Sequence, residues 1–172
     1  MSKLNRRGFL RKAGMATAVL GSTSVYPEFL YGQVERPPQS KYMGGFSAPK
    51  LENLRAAFIG VGARGGYHLN FLAALPNTQV AAICDVYEDL VKEKVGWVRE
   101  VADESRHKNI KLYHGDENQW RTMLKEVRPD VVFIATNWAN HAPMVIESMK
   151  MGAHVMVEVP IAVTLQEMWD IV

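Results

Sequence analysis

An α/β domain built on a doubly wound parallel sheet is the fold class this sequence predicts, and three observations carry the prediction. From Leu54 onward, short β-rich apolar runs alternate with longer stretches of helical period, the pattern of βαβ units with helices on both faces of a sheet. The first run ends in Gly60-Val61-Gly62-Ala63-Arg64-Gly65, a G-x-G-x-x-G turn with a strand before it and a helix after it. Asp85 closes the second run, twenty residues past Gly65.

The strands come first to view. Residues 56–59 form a short apolar run stopped by Gly60, and residues 80–84 and 131–135 are similar. Each is too short for a helix and almost uniformly apolar, as expected of strands covered on both faces. Residues 155–157 make a further strand, and residues 110–113 a weaker edge strand. Helical period predicts helices over 66–75, 88–104, 118–127 and 142–151, the last closed by Gly152, which suits a left-handed position. Right-handed crossovers then order the strands 3-2-1-4-5. At the far end, Thr164 and Glu167 make a capping box, followed by Leu165, Met168, Trp169 and Val172 at helical spacing. A two-turn helix with a Trp-bearing stripe asks for a partner surface. The chain is therefore expected to be the front part of a longer protein, its C-terminal substrate domain missing, and to associate with copies of itself when alone.

Composition bounds the remaining possibilities. With 48% hydrophobic and 22% charged residues the chain is of ordinary globular composition, so a buried core is expected. Residues 1–50 carry a net +6 and residues 51–172 a net −4, so the folded part is mildly acidic and lacks the electrostatic footprint of a nucleic-acid binder. Cys84 is the only cysteine, which excludes an internal disulfide and any metal centre built from cysteines of one chain; no metal is expected. The basic N-terminus reads as an address. Arg6-Arg7-Gly8-Phe9-Leu10-Arg11-Lys12 precedes a weakly apolar run from Ala13 to Val25, and no acidic residue appears before Glu28. That run is too short and too polar to cross a bilayer core of ~30 Å, so no stable membrane span is expected. It resembles a twin-arginine export signal, which places a signal at 1–30, a linker at 31–53 with Pro37-Pro38 and Pro49, and the protein in the periplasm. A basic amphipathic segment touching anionic lipid is the other reading.

The glycine turn carries the chemistry. Gly60 allows the tight turn off the strand, Gly62 lets backbone approach a pyrophosphate, and Gly65 lets the helix pack close to the sheet. The pyrophosphate then meets unpaired N–H groups at the positive end of a helix dipole. Asp85 can accept hydrogen bonds from the adenosine ribose hydroxyls, whereas a 2'-phosphate would face like charge, so NAD is favoured over NADP, with Arg64 softening the preference. Without its flanking strand, helix and carboxylate, the same motif would be only a glycine-rich turn. Cys84 reads as a strand-end core residue, since no base neighbours it in sequence. Ala135-Thr136-Asn137-Trp138-Ala139-Asn140-His141 ends the fourth strand and Glu158-Val159-Pro160 the fifth, both on the side where such sheets bind ligands. Polar groups there reach the nicotinamide half of the cofactor. His141 reads equally as a helix-start histidine satisfied by local backbone, and Trp138 as core packing.

Together, residues 58–65, 82–85, 135–141 and 152–160 resemble the Gfo/Idh/MocA family of nicotinamide-dependent oxidoreductases, over 54–172 of the chain. In that family the fifth strand usually ends Glu-Lys-Pro, the lysine placed for proton transfer; here Val159 stands in its place. The departure points to glycoside hydrolase family 109, whose members are similar at Ala135-Thr136-x-Trp138-x-x-His141-x-Pro143-Met144, at Glu158-Val159 and at Thr164-x-x-x-x-Trp169, and commonly carry such a leader. The resemblance implies hydrolysis of α-N-acetylgalactosaminides by an NAD-bound enzyme, through oxidation at C3, elimination of the aglycone, addition of water and re-reduction. The carboxylate pair of most glycosidases has no place in that route. By position, the resemblance assigns Arg64 and Gly65 to the pyrophosphate turn and Asp85 to ribose. It assigns Trp138, Ala139, Asn140 and His141 to the nicotinamide side, and Glu158 and Val159 to its ribose. Members often have Pro where Asn137 stands and Glu where Ala139 stands, departures that bear on the substrate and not on the cofactor. The tyrosine and histidine used on the sugar lie in a second domain beyond Val172, so no catalytic residue is assigned, and turnover by this chain alone is not expected. The NAD domain of a sugar oxidoreductase and a nucleotide-binding module without turnover are the alternatives.

Replacing Arg6 and Arg7 together by Lys is expected to hold the folded protein in the cytoplasm, as cell fractionation would read directly. Unchanged export of the double variant would point to another route.

Overall fold

The computed structural model describes residues 45–102 and 105–172. The leader assigned to 1–30 and the linker as far as residue 44 lie outside the described residues. From Gly45 to Asn53 the backbone forms neither helix nor strand.

Ten elements follow in strict alternation: β1 (Leu54–Ile59), α1 (Ala63–Ala74), β2 (Thr78–Cys84), α2 (Glu88–Val101), β3 (Lys111–Tyr113), α3 (Gln119–Val127), β4 (Val131–Ile134), α4 (Trp138–Lys150), β5 (His154–Val157) and α5 (Leu165–Ile171). The five strands form one parallel sheet in the order β3-β2-β1-β4-β5, the doubly wound order expected from the sequence. β1 lies at the centre, with Ala57 opposite Ala82 of β2 and Val132 of β4.

Because side chains alternate along a strand, β1 feeds two cores. Ala56 and Phe58 face Leu69, Leu72 and Ala73 of α1 and Val91 and Val98 of α2. Ala57 and Ile59 face Trp120, Met123 and Leu124 of α3 and Met144 and Val145 of α4. The Phe58 ring stacks on Phe133 with centroids 4.9 Å apart, tying β1 to β4 on the first face.

Element ends show where local signals fall short. α1 begins three residues before the expected Gly66, because the glycine turn is itself the helix's first turn. α4 begins at Trp138, four residues before the expected start; the polar run before Pro143 reads as a loop, yet it winds into the first turn. α2 ends at Val101, short of the expected Glu104. α4 closes as expected: Gly152 has φ +86°, its N–H reaches the carbonyl of Met149, and that of Ala153 reaches Ser148, the pattern of a Schellman cap. The capping box at Thr164 and Glu167 is formed in both directions. α5 packs on α4, yet Leu165 and Met168 remain exposed while Trp169 is half-buried.

Phe58 has no exposed surface and joins two strands and a helix. Phe58→Ala is expected to destabilise the domain by about 3–5 kcal/mol, read as a lower unfolding midpoint in urea.

Candidate functional site

In a parallel sheet every strand ends at the same edge, so the turns after β1, β2, β4 and β5 converge. The turn after β1 is drawn tightest. Gly60 takes φ +81°, and a Cβ on it would lie 2.7 Å from the carbonyl oxygen of Ala135. A Cβ on Gly65 would lie 1.8 Å from the carbonyl oxygen of Gly60. Side chains at either position are excluded by the chain's own backbone. Gly62 is different: no atom lies within 4 Å of where its Cβ would stand. The space beside it is free for a ligand. It is the N-cap of α1, no side chain caps that helix, and so the N–H groups of its first turn are open to an anion.

Asp85 is tied to the same turn. One carboxylate oxygen accepts from the Val61 N–H at 2.9 Å and the other from the Tyr87 N–H at 3.2 Å, so the end of β2 holds the glycine turn in place. A carboxylate with two acceptor oxygens retains capacity for ribose hydroxyls after these bonds. Cys84, beside it, is buried, and burial together with the Asp85 charge pushes its thiol up to about 12. It is a core thiol and not a nucleophile.

Two cavities meet at Gly60. The larger, about 430 Å³, runs between the ends of β1, β2 and β4 and is lined by Gly60, Gly62, Asp85, Tyr87, Thr136 and Asn140 among others. Asp116 and Glu117 line it as well, and among the described residues no Lys or Arg does. The smaller, about 150 Å³, lies on the α1 side of β4 and β5 and includes His68, Met156, Glu158 and Val159. An open glycine at a helix N-terminus, a cleft on either side of Gly60 and a carboxylate at the end of β2 suit a dinucleotide, pyrophosphate at the turn.

The expected site residues divide accordingly. Gly60, Gly62, Asp85 and Asn140 border the larger cavity, and Gly60, Gly65, Glu158 and Val159 the smaller. Arg64, Trp138 and Ala139 are exposed and line neither. His141 borders neither cavity. Its ring is buried, Nδ1 lying 2.8 Å from the Pro160 carbonyl oxygen and Nε2 3.1 Å from that of Thr136. The imidazole clamps the loop after β4 to the loop after β5. Both ring nitrogens thus meet backbone carbonyls, one of them local and the other, Pro160, nineteen residues away in sequence. Trp138, 63% exposed, is not core packing. No sequence motif marks His68, whose Nε2 lies 2.6 Å from Glu158, nor Tyr87, Asp116 and Glu117. Only the fold brings them to this edge. Among the described residues there is no cluster of three His, Cys, Asp or Glu able to hold a metal, and no helix is long and apolar enough to cross a membrane.

Comparison with known proteins agrees with this geometry. The model of the Gfo/Idh/MocA oxidoreductase family, NAD-binding Rossmann fold, matches residues 54–172. A glycosyl hydrolase family 109 protein of Akkermansia muciniphila is 40% identical over 98% of this chain, and an alpha-N-acetylgalactosaminidase of Shewanella oneidensis is 36% identical over all of it. The chain spans 37% of the length of each. Among solved structures, a myo-inositol dehydrogenase from Lactobacillus casei in complex with NAD(H) and myo-inositol superposes on 67% of this chain and 31% of its own, with a TM-score of 0.55 and 23% identity. The WlbA dehydrogenase of Bordetella pertussis, in complex with NADH and UDP-GlcNAcA, covers 70% of this chain and 33% of its own, with a TM-score of 0.55 and 20% identity. These likenesses establish the fold.

Gly62→Ala is expected to leave the unfolding midpoint within about 0.5 kcal/mol of the native chain, since nothing surrounds the new methyl group. The same change should weaken dinucleotide binding. Gly65→Ala should instead lower the midpoint, which separates the glycine needed by the ligand from the glycine needed by the fold.

Proposed function

The chain belongs to the Gfo/Idh/MocA oxidoreductase family and carries its NAD-binding Rossmann domain; on that premise we propose that it is the cofactor-binding part of an exported glycosidase that acts on α-N-acetylgalactosaminides. The observation that carries the cofactor side is the open Gly62, set between the Asp85 carboxylate and the unpaired N–H groups of α1. Bound there, NAD supplies a centre that takes up a hydride and returns it.

The chain's own residues do the holding. Gly60 and Gly65 let the turn close on itself, and the open Gly62 leaves the N–H groups at the start of α1 free to meet the pyrophosphate. Asp85 accepts from the adenosine ribose. Asp116 and Glu117 border the same cavity, no basic side chain among the described residues lines it, and a 2'-phosphate would meet three carboxylates there, which favours NAD over NADP. Arg64, assigned to soften that preference, lends its charge to Glu158 instead. Glu158 and Val159 at the end of β5, with the backbone turn at 138–141, are assigned to the nicotinamide half.

The substrate side rests on similarity to family 109 proteins together with Val159, which stands exposed where a proton-transferring lysine would be placed in most of the wider family. Export by the twin-arginine route accords with such a substrate, because the protein would leave the cytoplasm folded with its cofactor already bound. The sugar itself would be held by residues following the cofactor domain.

Titration of the protein with NAD and NADP is expected to give at least tenfold tighter NAD binding, and Asp85→Asn to narrow the ratio by roughly tenfold, the equivalent of one charge-assisted hydrogen bond of about 1.5 kcal/mol. NADP binding as tight as NAD would overturn the Asp85 argument. The substrate reading is checked by release of a chromogenic aglycone from an α-N-acetylgalactosaminide, using the protein at the length of its relatives. Release independent of NAD, or no release, would reject it.

A further inference from the structure

The smaller cavity holds a hydrogen-bonded histidine–carboxylate pair that no sequence motif announces. His68, on the second turn of α1, places Nε2 2.6 Å from Oε1 of Glu158, at the end of β5. The two side chains retain 37% and 26% of their exposure, so both remain within reach of water and of a ligand in the cavity they line. Among the described residues, the imidazole also lies near two rings, Tyr67 with centroids 6.0 Å apart and Phe133 of β4 at 6.4 Å. The groups acting on Glu158 are His68 and Arg64 from α1 and the backbone N–H of Val159. Val159 itself brings no charge. The His68 hydrogen bond, more than the charges of His68 and Arg64, holds the Glu158 carboxyl below the usual carboxylate range. Glu158 is therefore an anion wherever an imidazole titrates, and the state of His68 decides whether that anion is compensated.

We propose that His68 and Glu158 form a proton-controlled charge pair that sets the protein's preference between NAD+ and NADH. With His68 neutral, the Glu158 carboxylate favours the cationic nicotinamide of NAD+ over the neutral ring of NADH. With His68 protonated, the pair is compensated and the preference fades. His68 is a positioning residue here: it acts through Glu158 by orienting the carboxylate and setting its net field. This inference rests on the assignment of the nicotinamide half to the end of β5.

The test is a set of titrations of NAD+, NADH and ADP-ribose into the native protein, His68→Gln and Glu158→Gln, at about pH 5.5 and about pH 9, on either side of the imidazole range. In the native protein the ratio of the NADH to the NAD+ dissociation constant should rise about threefold to fivefold from the lower to the higher pH, as expected for one charge acting on another across a solvated cleft. In His68→Gln the ratio should stay at its high-pH level throughout, and in Glu158→Gln it should stay at the compensated level. ADP-ribose, which lacks the nicotinamide, should bind with the same ratio between proteins at both pH values. A pH-independent ratio in the native protein, or a His68→Gln variant that follows the native curve, overturns the proposal. Tight ADP-ribose binding with a flat ratio rejects the charge pair alone. Failure of ADP-ribose and NAD+ to bind at all rejects the cofactor assignment and the pair with it.

Discussion

Between the end of β1 and the start of α1 the backbone passes so close to itself that a Cβ on Gly65 would sit 1.8 Å from the Gly60 carbonyl oxygen. That approach lets α1 start immediately off the central strand, and the direction of α1 follows from it. With α1 so placed, its open first turn points at the sheet edge, its Leu69, Leu72 and Ala73 pack on Phe58, and its His68 comes within hydrogen-bond distance of Glu158. A methyl group at either glycine would have to move the strand end, the helix or both.

The turn is also held from the other side. The Gly60 N–H donates to the Cys84 carbonyl, the Ala135 N–H to the Ile59 carbonyl, and the Val61 N–H to the Asp85 carboxylate. Three neighbouring strands thus meet at a point where no side chain fits, and the result is a rigid floor between two cavities. Asp85 carries two tasks at once, as a strut for the turn and as a charge at the rim of the larger cavity. The buried His141 extends the same logic to the far side, since it links the loops after β4 and β5 through two carbonyls. Preorganisation of this kind matters for cofactor binding, because loops ordered before the ligand arrives cost nothing to order afterwards.

The alternation of apolar runs and helical stretches, the glycine spacing and the position of Asp85 were enough to read the sheet order and the cofactor turn. Gly62 illustrates why. Its role depends on local backbone geometry between a strand and a helix that adjoin it in sequence. His141 shows the opposite case: its neighbours in sequence suggest a cofactor-facing loop, but the ring's partner is Pro160, nineteen residues away and brought in by the pairing of β4 with β5. The early start of α4 has the same origin, since Trp138 to His141 wind into a turn despite the Pro that follows at 143.

What the sequence by itself determined, then, was the class of fold, the strand order and the tight glycine turn off the central strand, because hydrophobic period and glycine spacing act over a few residues and constrain the chain wherever they occur. Which side chains share the two cavities was decided only by the tertiary structure. His68 and Glu158 are 90 residues apart, and Asp85 stands as far along the chain from Asp116 and Glu117 as a whole helix and strand require. Parallel strands joined by helices bring such residues to one edge through crossovers, and no local pattern records which of them will meet.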